Sequence, residues 1–348
     1  MPILDKENIE QVKKYNEFVR GRKHTSALQD LNWAHVKSSE WLSEAVYLEK
    51  NGNITACMSL LIRRFGKYSI IYAPRGPVCD AYDLAQVKEL VEEIKPIAKK
   101  YNAFVLKFDP EIKYDAKLEA LYKSNGFKVE NRDSKKHELI QPIYNMILNL
   151  KGRTEEEIFK GYSEKTRYNI RVAERKGVTV RFSRDEEDLK KFAELSNITA
   201  ERDKITLRDY DYYKKMLEAF DSEHLRIYFA EHEGEVLSAA IALNYGGKLF
   251  YIYGASSNNK RNLMPNYLMQ QEMIRWGIET GCNEYDFGGV FNLEKSDGLF
   301  RFKEGFCKTE GVTKFVGEIS FVYKKLVFFG YEKVLPIYKK LRGIFKRK

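Results

Sequence analysis

The sequence predicts an α/β protein made of two similar domains, each with a mixed β-sheet, and three observations support this fold class. The chain has 348 residues, which is long for one hydrophobic core and suits two domains of ordinary size. Two segments, 44–110 and 226–287, share one order of predicted strands and helices. Each segment combines short apolar strands with one amphipathic helix, as α/β folds do. A gene duplication is the economical explanation of this repeat.

The first segment begins with three predicted strands joined by tight turns. The strands are Glu44–Leu48, Ile54–Ile62 and Tyr68–Tyr72. Turns at 51–53 and 66–67, each containing glycine, separate them. A helix is predicted from Asp83 to about Lys100, because apolar residues recur there on one face. A final apolar strand, Phe104–Leu106, ends at Asp109-Pro110.

The second segment repeats this order. Its strands are Arg226–Ala230, Val236–Leu243 and Leu249–Tyr253, followed by a helix at Asn266–Thr280 and a strand at Tyr285–Phe287. A three-strand meander, a helix and a further strand are the content of an acetyltransferase-like (GNAT-type) unit with a mixed sheet. The sequence therefore predicts two such domains in tandem, the first at 1–147 plus 319–348 and the second at 148–318.

Ahead of the second segment, residues 165–177 form a predicted helix with three arginines on one face. Arg167, Arg171 and Arg175 are spaced at i, i+4 and i+8, which aligns them along a helix, and Gly177 suits its C-terminal end. Such a stripe suits successive phosphates of RNA. A solvated helix face is the alternative.

The charge balance favours an anionic partner. Lys plus Arg number 60 and Asp plus Glu number 50, so the formal net charge is +10. Candidate partners are RNA, a nucleotide-linked substrate or an acidic membrane face. Solubility alone is the alternative, because many of these charges alternate in sign along the predicted helices.

The cysteines and the N-terminus favour a reduced compartment. Cys57, Cys79, Cys282 and Cys307 lie far apart, and because no pair has metal-ligand spacing no metal site is predicted. Residues 1–6 lack the features of a secretory signal, and no stretch is long and apolar enough to span a membrane. We therefore expect a cytoplasmic protein, soluble or peripheral at the inner membrane face.

The loop before the second helix does not suit coenzyme A, the usual donor of acetyltransferase folds. A pyrophosphate binds where glycines bring backbone N–H groups close together at a helix N-terminus. This loop instead offers Lys260, Arg261, Met264 and Pro265. No serine or histidine stands in a recognisable triad spacing either, so no covalent nucleophile is predicted.

Six blocks of the chain occur in an order typical of one family. They are Trp33–Lys37, Tyr72–Val78, the arginine-rich helix from Lys165, Tyr253–Tyr267, Tyr285–Gly289 and Gly298–Phe306. With these blocks the chain resembles the FemABX family of peptidoglycan bridge-forming aminoacyltransferases, which implies two acetyltransferase-like domains. Some members carry a coiled-coil arm in the second domain. The interval Phe192–Tyr213 is too short for one, so we expect the compact form and a monomer.

The resemblance also implies a reaction. An amino acid (Gly, Ala or Ser) is transferred from aminoacyl-tRNA to the side-chain amine of the third stem-peptide residue, on lipid II or UDP-MurNAc-pentapeptide. The aminoacyl ester is already activated, so holding a neutral amine at attack distance contributes most of the acceleration. No cofactor is implied beyond the aminoacyl-tRNA co-substrate.

Several residues match family positions that contact the peptidoglycan precursor. Lys37 and Arg208 match positions that hold its diphosphate, a task that suits cationic side chains. Tyr212 and Tyr253 match positions that contact the precursor. Asp109 matches a carboxylate at that site, where it either takes the proton of the attacking amine or positions the substrate.

Three further residues receive assignments. Phe104 aligns with a position that is Tyr in the best-known compact member, so a hydroxyl contact with the substrate is missing. Arg75 is expected to fix a loop and to contact a phosphate. Asp286, which follows a buried strand, is expected to shape a loop.

The acyl donor is assigned to the second domain. Phe302 and Lys303 match a pair beside the donor, where an ammonium would hold the terminal phosphate of the tRNA or offset charge on the tetrahedral intermediate. The arginine stripe, Lys260 and Arg261 are predicted to contact the tRNA.

The C-terminal tail, 323–348, combines apolar and basic residues. It suits either an anionic membrane interface or a helix packed on the first domain. Two other functions remain open for the whole chain. One is a coenzyme A-dependent acyltransferase, and the other is a catalytically idle RNA- or membrane-binding relative.

Overall fold

The computed structural model describes residues 3–22, 25–131 and 139–334. The chain divides into two compact units, Met1–Asp133 with Val316–Lys348, and Ser134–Phe315. The domain limits inferred from sequence, 147/148 and 318/319, stay predictions. His24, His137 and the tail beyond 334 lie outside the described residues.

The described residues form the following strands and helices. The strands are β1 (Leu42–Lys50), β2 (Asn53–Phe65), β3 (Tyr68–Ala73), β4 (Ala103–Phe108), β5 (Lys128–Glu130), β6 (Tyr144–Asn149), β7 (Thr179–Ser183), β8 (Leu225–His232), β9 (Glu235–Tyr245), β10 (Lys248–Ser256), β11 (Glu284–Gly289), β12 (Val312–Lys314) and β13 (Glu318–Val322). The helices are α1 (Ile9–Arg20), α2 (Leu31–Val36), α3 (Leu84–Lys100), α4 (Ala116–Ser124), α5 (Glu155–Gly161), α6 (Glu164–Arg175), α7 (Glu186–Asp203), α8 (Tyr210–Ala219), α9 (Pro265–Glu279), α10 (Gly298–Phe306) and α11 (Lys325–Phe329).

The first unit contains a six-stranded mixed sheet in the order β1-β2-β3-β4-β13-β5. Strands β1 to β3 form an antiparallel meander, and β4 pairs parallel to β3 after the crossover helix α3. Helix α3 begins where the carboxylate of Asp83 accepts a hydrogen bond from the backbone of Gln86. Its apolar stripe, including Val87, Leu90 and Ile94, is buried in the core with the sheet. The predicted α/β unit is confirmed.

The second unit repeats this topology in a seven-stranded sheet, β12-β6-β11-β10-β9-β8-β7. Strands β8 to β10 form the meander, and β11 pairs parallel to β10 after α9. Because strands β3 and β10 each lead through one helix into a parallel neighbour, the two units share one fold. The tandem repeat predicted from sequence is confirmed.

A buried ion pair joins β13, which lies near the C-terminus, to β4 of the first unit. The ammonium of Lys107 contacts the carboxylate of Glu318, and both side chains are buried. We expect Lys107→Met to lower the free energy of unfolding by about 3–5 kcal/mol, because the substitution leaves a buried carboxylate without its cation. Urea denaturation followed by circular dichroism measures the change.

Two controls make this stability prediction specific. The double variant Lys107→Met with Glu318→Leu removes both charges and is expected to recover most of the loss. Lys95→Met breaks an exposed pair with Glu92 in the same unit, at an N···O distance of 2.6 Å, and is expected to leave the midpoint unchanged. Equal midpoints for Lys107→Met and Lys95→Met would contradict the prediction.

No helix among the described residues is long and apolar enough to cross a membrane. The predicted C-terminal helix begins as α11 and continues as a π-helical turn at Gly330–Val334. The remainder of the predicted tail lies outside the described residues.

Candidate active site

Asp109 follows the last residue of β4, and its carboxylate is held by two neighbours. The hydroxyl of Tyr72 donates to Oδ2 at 2.8 Å, and the backbone N–H of Arg75 donates to Oδ1 at 2.7 Å. Only 3% of the residue is exposed. Burial raises the pKa of Asp109 to about 7, although the charge of Arg75 and both hydrogen bonds oppose the rise. A carboxyl group with this pKa exchanges a proton near neutral pH, as a general base must.

Arg75 contacts Asp109 at the end of β4, and its assignment to a phosphate stays a prediction. Its side chain is buried, and Nε lies 3.4 Å from Oε1 of Glu111. Its Nη1 donates to the backbone carbonyl of Asp109 at 3.4 Å. Because a neighbouring carboxylate already offsets its charge, Arg75 positions the end of β4.

Phe104 packs in the core of the first unit, and its assignment to the substrate site stays a prediction. The side chain is buried in an apolar cluster with Ile70, Val105 and Phe328. Its ring centroid lies 5.3 Å from that of Tyr331. The absence of a hydroxyl at this position therefore reflects a hydrophobic environment.

Lys37 caps the C-terminal end of α2 in the first unit. The residue is half-buried, and its ammonium lies 5.9 Å from the ring centroid of Trp33. A cation at a helix C-terminus is favoured by the helix dipole. Its assignment to the substrate diphosphate stays a prediction.

Three residues assigned separately to the precursor lie together in the second unit. The guanidinium carbon of Arg208 lies 4.9 Å from the ring centroid of Tyr212. The hydroxyl of Tyr253 donates to that of Tyr212 at 3.3 Å, and the two rings meet edge to face. Asp209 fixes the start of α8 by accepting a hydrogen bond from the backbone of Tyr212 at 2.9 Å. The arrangement offers one cation and two hydroxyls to a polar ligand.

Lys303, on α10, points towards the end of β11 and is only 5% exposed. Its ammonium donates to the backbone carbonyl of Gly289 at 2.9 Å. Burial lowers the pKa of Lys303 to about 8, whereas the negative charges of Asp286 and Asp297 oppose this shift. The side chain therefore remains largely cationic at neutral pH and loses its charge as the pH rises through about 8.

Asp286 is a member of this site that the sequence did not reveal. Its Oδ1 accepts a hydrogen bond from the backbone of Gly288 at 2.7 Å, which is the predicted loop-shaping role. Gly288 has φ +76°, a conformation that favours glycine. In addition, Nδ2 of Asn145 lies 3.2 Å from both carboxylate oxygens, and Nζ of Lys248 lies 3.9 Å from Oδ2.

Asp286 therefore has two effects on Lys303. It fixes the turn at Gly288, next to the backbone carbonyl of Gly289 that accepts a hydrogen bond from Lys303. Its negative charge also raises the pKa of Lys303. An acidic residue before two glycines at a strand end was the available sequence signal. No spacing in the sequence indicated that Asp286 would lie near a lysine on another element.

A cleft of about 440 Å³ in the second unit is lined in part by residues of α10. Phe302 and Tyr267 form an aromatic part of its wall, with ring centroids 5.0 Å apart. The cations lining the cleft are Lys165, Lys295, Arg301 and Lys308. Aromatic faces beside cations suit a nucleotide end, whose base stacks while its phosphates pair with the cations.

The three arginines of α6 do not form one free stripe. The guanidinium of Arg167 donates to the backbone carbonyls of Lys160 and Tyr162, at the C-terminal end of α5. Arg171 and Arg175 are exposed, and Arg171 lies 5.4 Å from the ring centroid of Phe159. Arg167 is thus engaged in holding α5, and the prediction of tRNA contact rests on the two exposed arginines.

The predicted tRNA contact Lys260 is surrounded by acidic partners. Its ammonium lies 3.1 Å from Oε2 of Glu233 and 3.3 Å from Oε2 of Glu235, and 3.2 Å from Nδ1 of His232. Two carboxylates therefore offset its charge, and its assignment to the tRNA stays a prediction. Arg261 is exposed, and its assignment stays a prediction.

The start of α9 supports the argument against coenzyme A. Pro265, which has no N–H, occupies the first turn, and Met264 precedes it with φ +58°. In the first unit, the side chain of Asp83 already occupies the N-terminus of α3. Neither helix start carries the glycines that bring backbone N–H groups close to a pyrophosphate.

Comparisons with known proteins agree on one family. A model of the FemAB family matches residues 11–234 and 229–334. The chain is 35% identical to the UDP-N-acetylmuramoylpentapeptide-lysine N(6)-alanyltransferase of Weissella viridescens, over 94% of this chain and 98% of that protein. It is 28% identical to the lipid II:glycine glycyltransferase of Staphylococcus haemolyticus, over 99% of each.

Solved structures agree on the fold. A crystal structure of FemX superimposes with a TM-score of 0.85 at 24% identity, covering 96% of this chain and all of that one (100%). A tandem GNAT protein from clavulanic acid biosynthesis gives a TM-score of 0.54 at 9% identity, covering 92% of this chain and 97% of that one. These neighbours agree with two acetyltransferase-like units.

Proposed function

Since this chain belongs to the FemAB family and is an aminoacyltransferase, we propose that it adds an amino acid to the lysine side-chain amine of a peptidoglycan precursor. The observation that carries the proposal is the 35% identity with a lysine N6-alanyltransferase along nearly the whole of both chains. On this basis the first acceptor to test is UDP-MurNAc-pentapeptide. Lipid II is the second, because a glycyltransferase of that substrate is 28% identical.

The proposed donor is aminoacyl-tRNA. The cleft beside Phe302 supports it, because aromatic rings and four cations match the chemistry of a nucleic-acid end. Lys303 lies on the same helix but faces β11, where its buried ammonium is suited to stabilising negative charge. In our proposal the cleft holds the acceptor end of the tRNA and Lys303 offsets charge that develops on the ester.

In the second unit, we propose that Arg208 pairs with a phosphate of the precursor and that the hydroxyls of Tyr212 and Tyr253 offer hydrogen bonds. In the first unit, Lys37 and Asp109 keep the precursor assignments that the resemblance gives them. Asp109 accepts the proton that the amine loses when it attacks the ester. The lysine amine and the aminoacyl ester thereby become an amide and a free hydroxyl group on the tRNA. No covalent enzyme intermediate is needed.

Transfer of labelled alanine, glycine or serine from charged tRNA tests the proposal. We expect amide product with one of the two acceptors, and we expect Arg208→Ala to raise KM for the acceptor by about tenfold or more because a charged hydrogen bond is lost. Arg208→Lys keeps the charge without the planar fork and is expected to lie between wild type and alanine.

Two outcomes would contradict the proposal. Absence of product with both acceptors and all charged tRNAs would favour the catalytically idle alternative. Acyl transfer from acetyl-coenzyme A in the same assay would favour the coenzyme A-dependent alternative.

A further inference from the structure

A surface in the first unit combines exposed apolar residues with cations. We define the hairpin–tail patch as its apolar residues Phe65, Leu326 and Phe329 and its cations Arg63, Lys67, Lys325 and Lys333, all of which are exposed. Leu326 is 89% exposed and Phe329 is 61% exposed. Large apolar side chains that lie side by side on a protein surface are unusual unless they contact a partner.

The patch joins two segments that are far apart in sequence. The ring of Phe65, at the end of β2, lies 5.8 Å from that of Tyr331, just beyond α11. Lys324, which precedes α11, contacts the side chain of Asn102 and lies 5.7 Å from the ring of Tyr68 on β3. The tip of the β2–β3 hairpin and α11 therefore form one continuous surface.

Helix α11 is apolar on two sides. Phe328 is buried in the cluster that contains Phe104, and Val327 packs against the same cluster. Leu326 and Phe329, three residues apart, point outwards on the other side. Packing against the first unit explains why Phe328 and Val327 are apolar. It does not explain Leu326 and Phe329, which point outwards and need a second apolar environment.

The charge of the patch indicates which apolar environment Leu326 and Phe329 contact. The acidic residue of this stretch, Glu332, pairs with Lys128, so it does not offset the patch cations. Cations around an apolar centre match an anionic lipid surface, because the apolar side chains enter the acyl boundary and the lysines and arginines stay at the headgroups. RNA phosphates would use the cations but would gain little from Leu326.

We propose that the hairpin–tail patch binds the surface of membranes that contain anionic phospholipid, with Leu326 and Phe329 inserted at the interface. The inference does not depend on the proposed transfer reaction. If both hold, docking brings the enzyme to the membrane face where a lipid-linked acceptor would lie.

Sedimentation of the full chain with vesicles tests the proposal. We expect binding to vesicles of phosphatidylglycerol and phosphatidylcholine and little binding to phosphatidylcholine alone. Leu326→Glu with Phe329→Glu is expected to abolish binding. Lys325→Gln is expected to weaken it about fivefold, the effect of one cation near an anionic surface.

Ile9→Glu is the matched control, because Ile9 is 82% exposed in the same unit but lies outside the patch. It should bind vesicles like the wild type, and thermal melting checks that each variant folds. Equal binding to both vesicle types, no binding, or unchanged binding of the Leu326→Glu/Phe329→Glu variant would overturn the proposal.

A tRNA filter-binding assay separates lipid from RNA. If Lys325→Gln weakened tRNA binding while the vesicle assays showed no binding, the patch would be an RNA surface and the proposal would fail. Transfer to the soluble UDP-linked acceptor is expected to be unchanged in the Leu326→Glu/Phe329→Glu variant. Failure of membrane docking is therefore distinguishable from failure of the transfer reaction.

Discussion

Lys303→Met is expected to lower kcat about 10²- to 10³-fold, the usual effect of removing one group that stabilises developing negative charge in a transition state. The ammonium is 5% exposed and donates to the carbonyl of Gly289 at 2.9 Å, so it is fixed in place. Single-turnover transfer from charged tRNA measures the chemical step. Retention of more than about half of the wild-type rate would remove Lys303 from the mechanism.

The pH dependence distinguishes a charge effect from a packing effect. Because burial lowers the pKa of Lys303 to about 8, a rate that depends on its cation falls as pH rises through about 8. Lys303→Arg keeps its charge at all accessible pH values and is expected to lose this alkaline limb. A limb that persists in Lys303→Arg would belong to another group.

Asp286→Asn is the companion variant for Lys303. The carboxylate of Asp286 raises the pKa of Lys303, so its removal should move the alkaline limb to lower pH. The pKa of Lys303 is measurable without turnover, from the pH dependence of its acetylation rate read by mass spectrometry. An unchanged pKa in Asp286→Asn would show that the carboxylate only shapes the Gly288 turn.

Asp109→Asn is expected to lower kcat/KM about 10²- to 10⁴-fold if Asp109 is the general base of the reaction. Because burial raises the pKa of Asp109 to about 7, the rate should rise with pH through about 7, where the carboxyl becomes a carboxylate. The acceptor amine, with a pKa of about 10.4 in free lysine, adds a rise common to all variants. The informative measurement is therefore the difference between the pH profiles of wild type and Asp109→Asn.

Tyr72→Phe tests the same assignment from a second direction. The Tyr72 hydroxyl lowers the pKa of Asp109 through its 2.8 Å hydrogen bond, so its loss should move the acid limb to higher pH. A small effect of Asp109→Asn on kcat with a raised KM would reassign Asp109 to substrate positioning. An acid limb that persists in Asp109→Asn would exclude it as the titrating group.

The local structure was largely predictable from sequence. The helix predicted from Asp83 is observed at Leu84–Lys100 with Asp83 as its cap, because an apolar stripe and a capping residue lie within one short segment. The strand predicted at Leu249–Tyr253 is observed at Lys248–Ser256, because its apolar residues and the turn before it also lie within one short segment. The repeat of these elements then allowed the tandem fold to be predicted.

The site was predictable only in part. Matched family positions identified Arg208, Tyr212 and Tyr253, and the structure places these three together. The sequence also assigned Arg75 to a phosphate and Phe104 to the substrate site, but it did not reveal that Arg75 pairs with Glu111 or that Phe104 is buried in a cluster with Phe328. Matching a family position indicates the type of residue that is expected there. Whether its side chain is buried or paired depends on the residues that pack against it.

The sequence by itself thus determined the strands and helices of the repeat, and the family, because turn residues, caps and apolar periodicity act over a few neighbouring positions. Only the tertiary structure decided which charges are available. Lys260 is offset by Glu233 and Glu235, and Asp286 acts on Lys303 from another element. Burial and the distance to an opposite charge set a pKa and leave a cation free or paired, and both arise only when distant segments pack together.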